Sequence, residues 1–221
     1  MSQRFLNLIR KGETAEVAAV AEQDKSLIVC RDAQGVSALL WAIYSQQPVI
    51  RDFLLAHLPE LDIFEASAIG DCVRLHALLS QNAIWVFQTS ADGWTPLHLA
   101  AAFGGPQAVA LLLEHGAHVH QPSRNPMRNQ PLHACVGLSR DLETARLLIA
   151  QGADVNATQA GGFTPLHQAA AAGVRELVLL LLESGADPRK LCDQGKTPAD
   201  YARERGHLEI ATTLAGGSVG S

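Results

Sequence analysis

The residues of this sequence that are best suited to chemistry are histidines, and three of them recur in one short motif. The motif reads TPLH at 95–98, QPLH at 130–133 and TPLH at 164–167. An imidazole can act as a general base or as a metal ligand near neutral pH. A reaction centre, however, normally needs one converging set of groups rather than copies spread along a chain. We therefore predict a structural role for His98, His133 and His167.

A second group of histidines has the spacing of a metal site. His115, His118 and His120 form an H-x-x-H-x-H cluster around Gly116, and neutral imidazoles are good ligands for zinc or nickel. His115 would end a helix while His118 and His120 enter an extended turn, so their side chains need not converge. The cluster supports an alternative function, a regulator that responds to a metal or a small ligand. Our leading interpretation includes no metal and no cofactor.

Other patterns that carry catalysis are missing from the sequence. It contains no GxSxG nucleophile elbow, no GxxxxGK[ST] loop and no GxGxxG that follows a strand. None of the cysteines has a catalytic signature, and Cys135 stands where the sister motifs carry Ala100 and Ala169. An enzyme with an unfamiliar site among residues 1–89 is the remaining catalytic alternative. We favour a protein without enzymatic activity.

The composition is that of a folded protein with no general attraction to nucleic acid. Of the 221 residues, 48% are hydrophobic and 18% are charged, and the net charge is -5. Phosphate backbones call for a basic surface, and a membrane span needs about 18 consecutive apolar residues, which the sequence does not contain. We expect a cytoplasmic monomer with no nucleic-acid partner and no membrane insertion. Export by a route that uses no apolar signal stays open.

The whole sequence repeats with a period near 33 residues. The leucine position of the motif recurs at intervals of 35, 34 and 33 residues. It is occupied by Leu97, Leu132 and Leu166, and by alanine in the last copy, at Ala199. Weaker origins in the same register precede them at Phe5, Leu39 and Ile63. The interval from Leu39 to Ile63 is only 24 residues, so one connecting segment has lost about ten residues. Such a period indicates units that bury their apolar surface by stacking on one another.

Each unit reads as a helix, a turn, a second helix and a projecting turn. Thr95 followed by Pro96 is a strong helix start, because the hydroxyl caps free amides and proline suits the first helical position. A short helix ends at glycine, and a second begins at Pro106 and closes at Gly116 as a left-handed cap. The polar stretch before the next Thr-Pro leaves room for a hairpin-like turn.

These motifs resemble those of the ankyrin repeat. The resemblance is carried by DGWTPLHLAAAFG with LLLEHGAHV, NQPLHACVG with LLIAQGADVNA, and GGFTPLHQAAAAG with LLLESGADP. It is strong over 90–215 and weak over 4–89. It implies an all-α solenoid of six to seven units, with the motif histidines bonded within and between the turns. The expected single domain, 1–215, comprises a capping unit (1–30), divergent repeats (31–89), three consensus-like repeats (90–190) and a capping repeat (191–215), followed by a flexible tail (216–221).

The resemblance also implies that a partner protein is bound on a concave face. Projecting turns and first helices form that face in the family, and the residues transferred by register are Tyr44, Asp92, Trp94, Phe103, Met127, Arg128, Asn129, Leu138 and Phe163. Arg124 and Arg128 could hold carboxylates or a phosphopeptide, or could be a solvated loop tip. Trp94 and Phe163 are expected to point outward, with packing along neighbouring turns as the alternative. Trp85 is expected in the core.

Overall fold

In a computed structural model, described here over residues 1–216, the chain folds into fourteen α-helices that follow one another in seven pairs. The first helices of the pairs are α1 (Ser2–Lys11), α3 (Ala38–Tyr44), α5 (Ile63–Ile69), α7 (Pro96–Leu99), α9 (Pro131–Ala134), α11 (Pro165–Ala172) and α13 (Pro198–Glu204). The second helices are α2 (Thr14–Gln23), α4 (Pro48–His57), α6 (Cys72–Gln81), α8 (Pro106–Glu114), α10 (Leu142–Ala150), α12 (Arg175–Glu183) and α14 (Leu208–Gly216). The tail expected at 216–221 lies outside the described residues, apart from Gly216.

The helix pairs stack in chain order and confirm the all-α solenoid. First helices contact one another in a continuous row from α1 to α13, and second helices such as α6, α8, α10 and α12 form a parallel row. The N-terminal segment, including residues 1–89, takes part in this stack as the pairs α1 to α6. Among residues 1–216, no helix combines the length and the apolar character that a membrane crossing requires.

The helix starts follow from the capping residues that the sequence provides. The hydroxyl oxygens of Thr95, Thr164 and Thr197 each accept a hydrogen bond from the amide three residues later, with proline at the first helical position. Asp62 caps α5 in the same way, and Glu65 bonds back to the Asp62 amide at 3.1 Å. These bonds satisfy amides that a helix end would leave without partners.

Two first helices do not end as the sequence predicts. α7 and α9 continue as π-helical turns at Ala100–Gly104 and Cys135–Ser139. The amide of Gly105 donates to the carbonyl of Ala100 at 3.0 Å, and that of Arg140 donates to Cys135 at 2.8 Å. A π turn widens a helix and displaces its side chains, and such turns are frequent at functional sites.

The projecting turns form a hydrogen-bonded row along one side of the stack. Each turn is closed by a bond from its first amide to its last carbonyl, in segments 32–36, 90–94, 123–129, 159–163 and 192–196. Neighbouring turns are joined by amide-to-carbonyl bonds of 2.8 to 3.0 Å from Arg124 to Gly93, from Ala160 to Met127 and from Asp193 to Gly161. Across the described part of the chain no strand is longer than the isolated bridge between Arg31 and Ser37.

The third turn is longer than the others, which explains the interval of 35 residues. Segment 123–129 has seven residues where the other turns have five. Its penultimate residue, Arg128, has a left-handed backbone conformation, with φ 49. The corresponding residues of two other turns, Gly93 and Gly195, also have positive φ. A residue with a Cβ adopts this conformation at a cost of about 1–2 kcal/mol.

One projecting turn is absent, at the place where the sequence lost about ten residues. Only residues 58–62 connect α4 to α5. The first turn therefore approaches the next one directly, so that a Cβ built on Gly35 would lie 3.0 Å from the Cβ of Ala91. The Arg31 guanidinium closes the gap by donating to Asp62 Oδ2 at 2.8 Å.

The hydrophobic core reflects this break in the repeat. One cluster of buried side chains runs from Ile63 to Leu214, and another occupies the first two units from Phe5 to Leu54. A small third cluster links units on either side of the missing turn and consists of Val36, Leu40, Ala68 and Leu99.

Close approach of the first helices of the third and fourth units requires glycine. A Cβ on Gly104 would collide with the carbonyl oxygen of Ser67, and a Cβ on Gly70 would collide with the carbonyl oxygen of Gly104. Because both obstacles are backbone atoms in a packed interface, they cannot move aside as a side-chain end could.

We expect Gly104→Ala to lower the free energy of unfolding by about 1–3 kcal/mol, the usual cost of overfilling a packed site. Gly137→Ala is the matched control, since Gly137 also lies in a π turn and its Cβ would meet the end of the Gln168 side chain rather than backbone, with Nε2 nearest at 3.2 Å. Urea denaturation measures both. Equal stability of the two variants would contradict the proposed backbone contact.

Candidate protein-binding surface

The motif histidines join each unit to the next, as the sequence predicts. The Thr95 amide donates to His98 Nδ1 at 3.3 Å, and the Thr95 hydroxyl lies 2.7 Å from the same nitrogen. An amide can only donate, so Nδ1 accepts and the ring proton is on Nε2. His98 Nε2 then donates to the carbonyl of Asn129 at 2.8 Å, in the following projecting turn.

The other two motif histidines repeat this connection. His133 Nε2 donates to the carbonyl of Phe163 at 3.2 Å and to that of Ala157 at 3.1 Å. His167 Nε2 donates to the carbonyl of Lys196 at 3.2 Å. Asn129, Phe163 and Lys196 are the last residues of successive turns. The histidines therefore lie in a row along the stack, and their predicted scaffold role is confirmed.

Burial keeps these imidazoles neutral. Desolvation lowers the pKa of His98 and of His133 to about 4, although the hydrogen bonds to backbone carbonyls act in the opposite direction. Burial likewise lowers the pKa of His167. This connection between units requires a neutral ring, because a protonated Nδ1 could not accept the hydrogen bond from the capping residue.

The second histidine group does not assemble a metal site. His115 Nδ1 donates to the carbonyl of Leu111 at 2.8 Å, whereas the His118 ring lies on Phe87 with centroids 5.0 Å apart. Within residues 1–216, no group of three histidine, cysteine or acidic side chains could hold a metal ion. His115 ends a helix and His118 and His120 follow Gly116, which has φ 87, so the three residues lie on two different segments.

Cys135 is buried and unreactive. Its side chain has no exposed surface, and burial raises the pKa of the thiol to about 12. The thiolate, which is the nucleophilic form, is therefore not available near neutral pH. This agrees with its interpretation as a small core residue in an alanine position.

A groove of about 980 Å³ is lined by residues of the second to fifth units. Five of the residues selected from the sequence line it together: Tyr44, Asp92, Trp94, Phe103 and Leu138. Small side chains of successive first helices, Ala42, Ala68 and Ala102, form part of its wall. The two π turns supply Phe103 and Leu138.

Hydrogen bonds and ring contacts fix the groove residues. The Tyr44 hydroxyl donates to Asp92 Oδ2 at 2.8 Å, and the Ser90 hydroxyl donates to Asp92 Oδ1 at 2.5 Å. The rings of Tyr44 and Phe103 lie 5.7 Å apart. Burial raises the pKa of Tyr44, and the negative charge of Asp92 raises it further, so the phenol stays protonated as a donor.

Trp94 and Leu138 combine an apolar surface with exposure to solvent. Trp94 is half-buried, with its ring edge-on to His98 at 5.7 Å, and Leu138 is 49% exposed. Met127, at the tip of the long turn, is 51% exposed. Partly exposed aromatic and aliphatic groups of this kind are typical of protein-binding surfaces.

Two residues selected from the sequence occupy other positions. Asn129 is only 7% exposed, and its side-chain oxygen accepts a bond from the Ser123 hydroxyl at 2.6 Å. Its inclusion in the exposed surface is corrected, because the long turn folds it inward. Phe163 packs against Tyr201 of the next unit at 5.1 Å, which is the packing alternative described above.

The sequence did not point to the contribution of α4. Gln46, Gln47, Arg51 and Asp52 line the groove at the start of this helix. The only sequence signal was the short interval after Leu39, which indicates that the turn between α4 and α5 is missing. Trp85 packs against the main core and also lines a second cavity of about 510 Å³ beside Arg31 and Arg74.

Most of the chain matches the profile of one protein family. The profile described as "Ankyrin repeats (3 copies)" matches residues 63–159 and 132–220. The mouse B-cell lymphoma 3 protein homolog is 37% identical over 131 residues, which are 58% of this chain and 29% of that protein. The human neurogenic locus notch homolog protein 4 is 37% identical over 56% of this chain and 6% of its own length.

A yeast relative is similar over almost the whole chain. The probable 26S proteasome regulatory subunit p28 of Saccharomyces cerevisiae is 27% identical over 208 residues, which are 92% of this chain and 80% of that protein. The chain spans less than a third of the mouse and human relatives above.

The neutral histidines make stability depend on pH. The pKa of His98 and of His133 is about 4 in the folded protein and about 6.5 in the unfolded chain, so the unfolded chain takes up protons first as the pH falls. The contribution of these neutral rings to the free energy of unfolding is fully present above pH 6.5. It decreases toward pH 4, by up to about 1.4 kcal/mol per pH unit for each histidine. We expect His98→Gln, which can donate but cannot titrate, to lose about 1–2 kcal/mol less than the wild type between pH 7 and 5.

Urea denaturation at pH 7, 6 and 5 measures this difference. His120→Gln is the control, because His120 is exposed, and its stability should follow the wild-type pH dependence. The explanation fails if wild type and His98→Gln weaken in parallel.

Proposed function

Because the chain belongs to the ankyrin-repeat family, whose members generally act as protein-interaction modules, we propose that it is a non-enzymatic protein-binding module. Its partner occupies the concave groove formed by Tyr44, Asp92, Trp94, Phe103 and Leu138. The observation that supports this proposal is that these residues, far apart in sequence, line one open groove of about 980 Å³.

The chemistry of the groove suits a protein segment. Aromatic rings provide large contact areas with few rotatable bonds, and they are enriched among the residues that dominate binding energy. Trp94, Phe103 and Leu138 provide such contacts, while Tyr44 and Asp92 add polar groups that fix orientation. A partner that covers them would bury apolar surface that now faces solvent.

Hydrogen bonds within the stack preorganise the groove. The turn-to-turn hydrogen bonds hold the row of turns in register, and His98 ties the turn at 123–129 to α7. A preorganised surface loses little conformational entropy when its partner binds, so more of the contact energy contributes to affinity.

The long turn extends this surface beyond the groove. Met127 is exposed beside Arg128, whose left-handed backbone is an unfavourable conformation for a residue with a Cβ. Strained backbone of this kind clusters at binding sites. We propose that Met127 and Arg128 contact the partner at the edge of the groove. Phe163 would stabilise the neighbouring turn by packing on Tyr201.

The names of the relatives do not point to a common partner. They refer to a proteasome regulatory subunit, a notch homolog and a B-cell lymphoma protein, and most of these proteins extend well beyond the matched region. We therefore infer the chemistry of the partner from the surface of this chain and not from the names of its relatives.

We expect Trp94→Ala and Leu138→Glu each to reduce capture of the main partner from native lysate at least tenfold, because each removes or charges an apolar contact in the groove. The matched control is Leu208→Glu, since Leu208 is 63% exposed at the start of α14, in the last unit of the stack. Quantitative mass spectrometry of the bound fraction gives the measurement, and circular dichroism verifies folding. Retention of the same partners by all three variants would place the binding surface elsewhere.

A further inference from the structure

Asp92 is the uncompensated charge of the groove. The charged residues that line the groove are Arg51, Asp52 and Asp92. Arg51 bonds to Asp52 at 2.8 Å, so these two charges offset one another. Among residues 1–216, no lysine, arginine or histidine nitrogen lies within ion-pair distance of the Asp92 carboxylate. Its two bonds come from the neutral hydroxyls of Tyr44 and Ser90.

A similar arrangement with its cation in place occurs one turn earlier in the stack. The Trp41 indole donates to Asp32 Oδ2 at 2.9 Å, as Tyr44 does to Asp92. The Arg10 guanidinium lies over the Trp41 ring, 3.6 Å from its centroid, and 3.7 Å from Asp32 Oδ2. The first arrangement thus contains a carboxylate, an aromatic donor and an arginine, whereas the second contains only a carboxylate and an aromatic donor.

The missing cation beside Asp92 indicates which side chain of a partner would fit the groove. A guanidinium can bond to a carboxylate and stack on an aromatic face at the same time, and its aliphatic stem packs on apolar surface. The groove offers the Asp92 carboxylate, the rings of Tyr44, Phe103 and Trp94, and the apolar wall that ends at Leu138. A carboxylate accepts about four hydrogen bonds, so Asp92 can bind a guanidinium without releasing Tyr44 or Ser90.

On the premise that this groove is the binding surface, we propose that it receives an arginine side chain from an otherwise apolar segment of the partner protein. The arginine bonds to Asp92 and stacks on the groove aromatics, and the flanking apolar residues cover Leu138 and Phe103. The net charge of -5 on the whole chain adds a long-range attraction for the positive charge of this arginine.

A random 12-residue peptide library displayed on phage and selected on the full chain tests the proposal. We expect the selected peptides to share an arginine flanked by apolar residues. Replacing that arginine with citrulline, which keeps the shape and removes the charge, should weaken binding at least tenfold. Asp92→Asn should cause a similar loss and make the citrulline replacement nearly neutral, because both changes remove the same interaction.

Asp187→Asn is the charge-matched control, since Asp187 is exposed in a distant unit, and it should change the affinity less than twofold. The citrulline comparison uses the unaltered protein and does not depend on how Asp92→Asn folds. Selected peptides that require Leu138 but lack arginine, or that bind equally well with lysine or citrulline, would overturn the arginine site and leave the groove in place. Selection of peptides whose binding is unaffected by Leu138→Glu would overturn the groove itself.

Discussion

The structure depends on a hydrogen bond that crosses from one repeat to the next through a buried, neutral histidine. In each of three consecutive units the ring accepts from the residue that caps its own helix and donates to the last carbonyl of the following turn. The same ring thus sets where a helix starts and where the neighbouring turn stands. The proposed binding surface is therefore held in place by interactions that are buried in the stack.

The lost turn between α4 and α5 shapes the groove. Without it, the first and second remaining turns come together, and Tyr44 reaches Asp92 across 48 residues of sequence. The start of α4 contributes Arg51 and Asp52 to the same groove. A regular array would place a turn in this region, so the irregularity gives this chain a recess that a uniform stack would lack.

Much of the fold follows from the sequence, because its signals are local and periodic. The Thr-Pro starts, the glycine caps and the spacing of the motif leucines each act within one unit, and stacking is then the only way to bury the apolar faces. Five of the nine selected surface residues share the groove for the same reason. Burial of Asn129 depends on the two extra residues of its turn, and the packing of Phe163 depends on Tyr201 in the next unit. The π turns have no signal that we recognise in the sequence.

The long turn at 123–129 shows how such an array can change. Its connections to neighbouring turns use the amide of Arg124 and the carbonyl of Met127, while Asn125 and Pro126 between them are free of these two bonds. Two additional residues have been accommodated here without breaking the row of turns on either side. This position can therefore vary in length during evolution, and new specificity can arise there while the helices beneath remain the same.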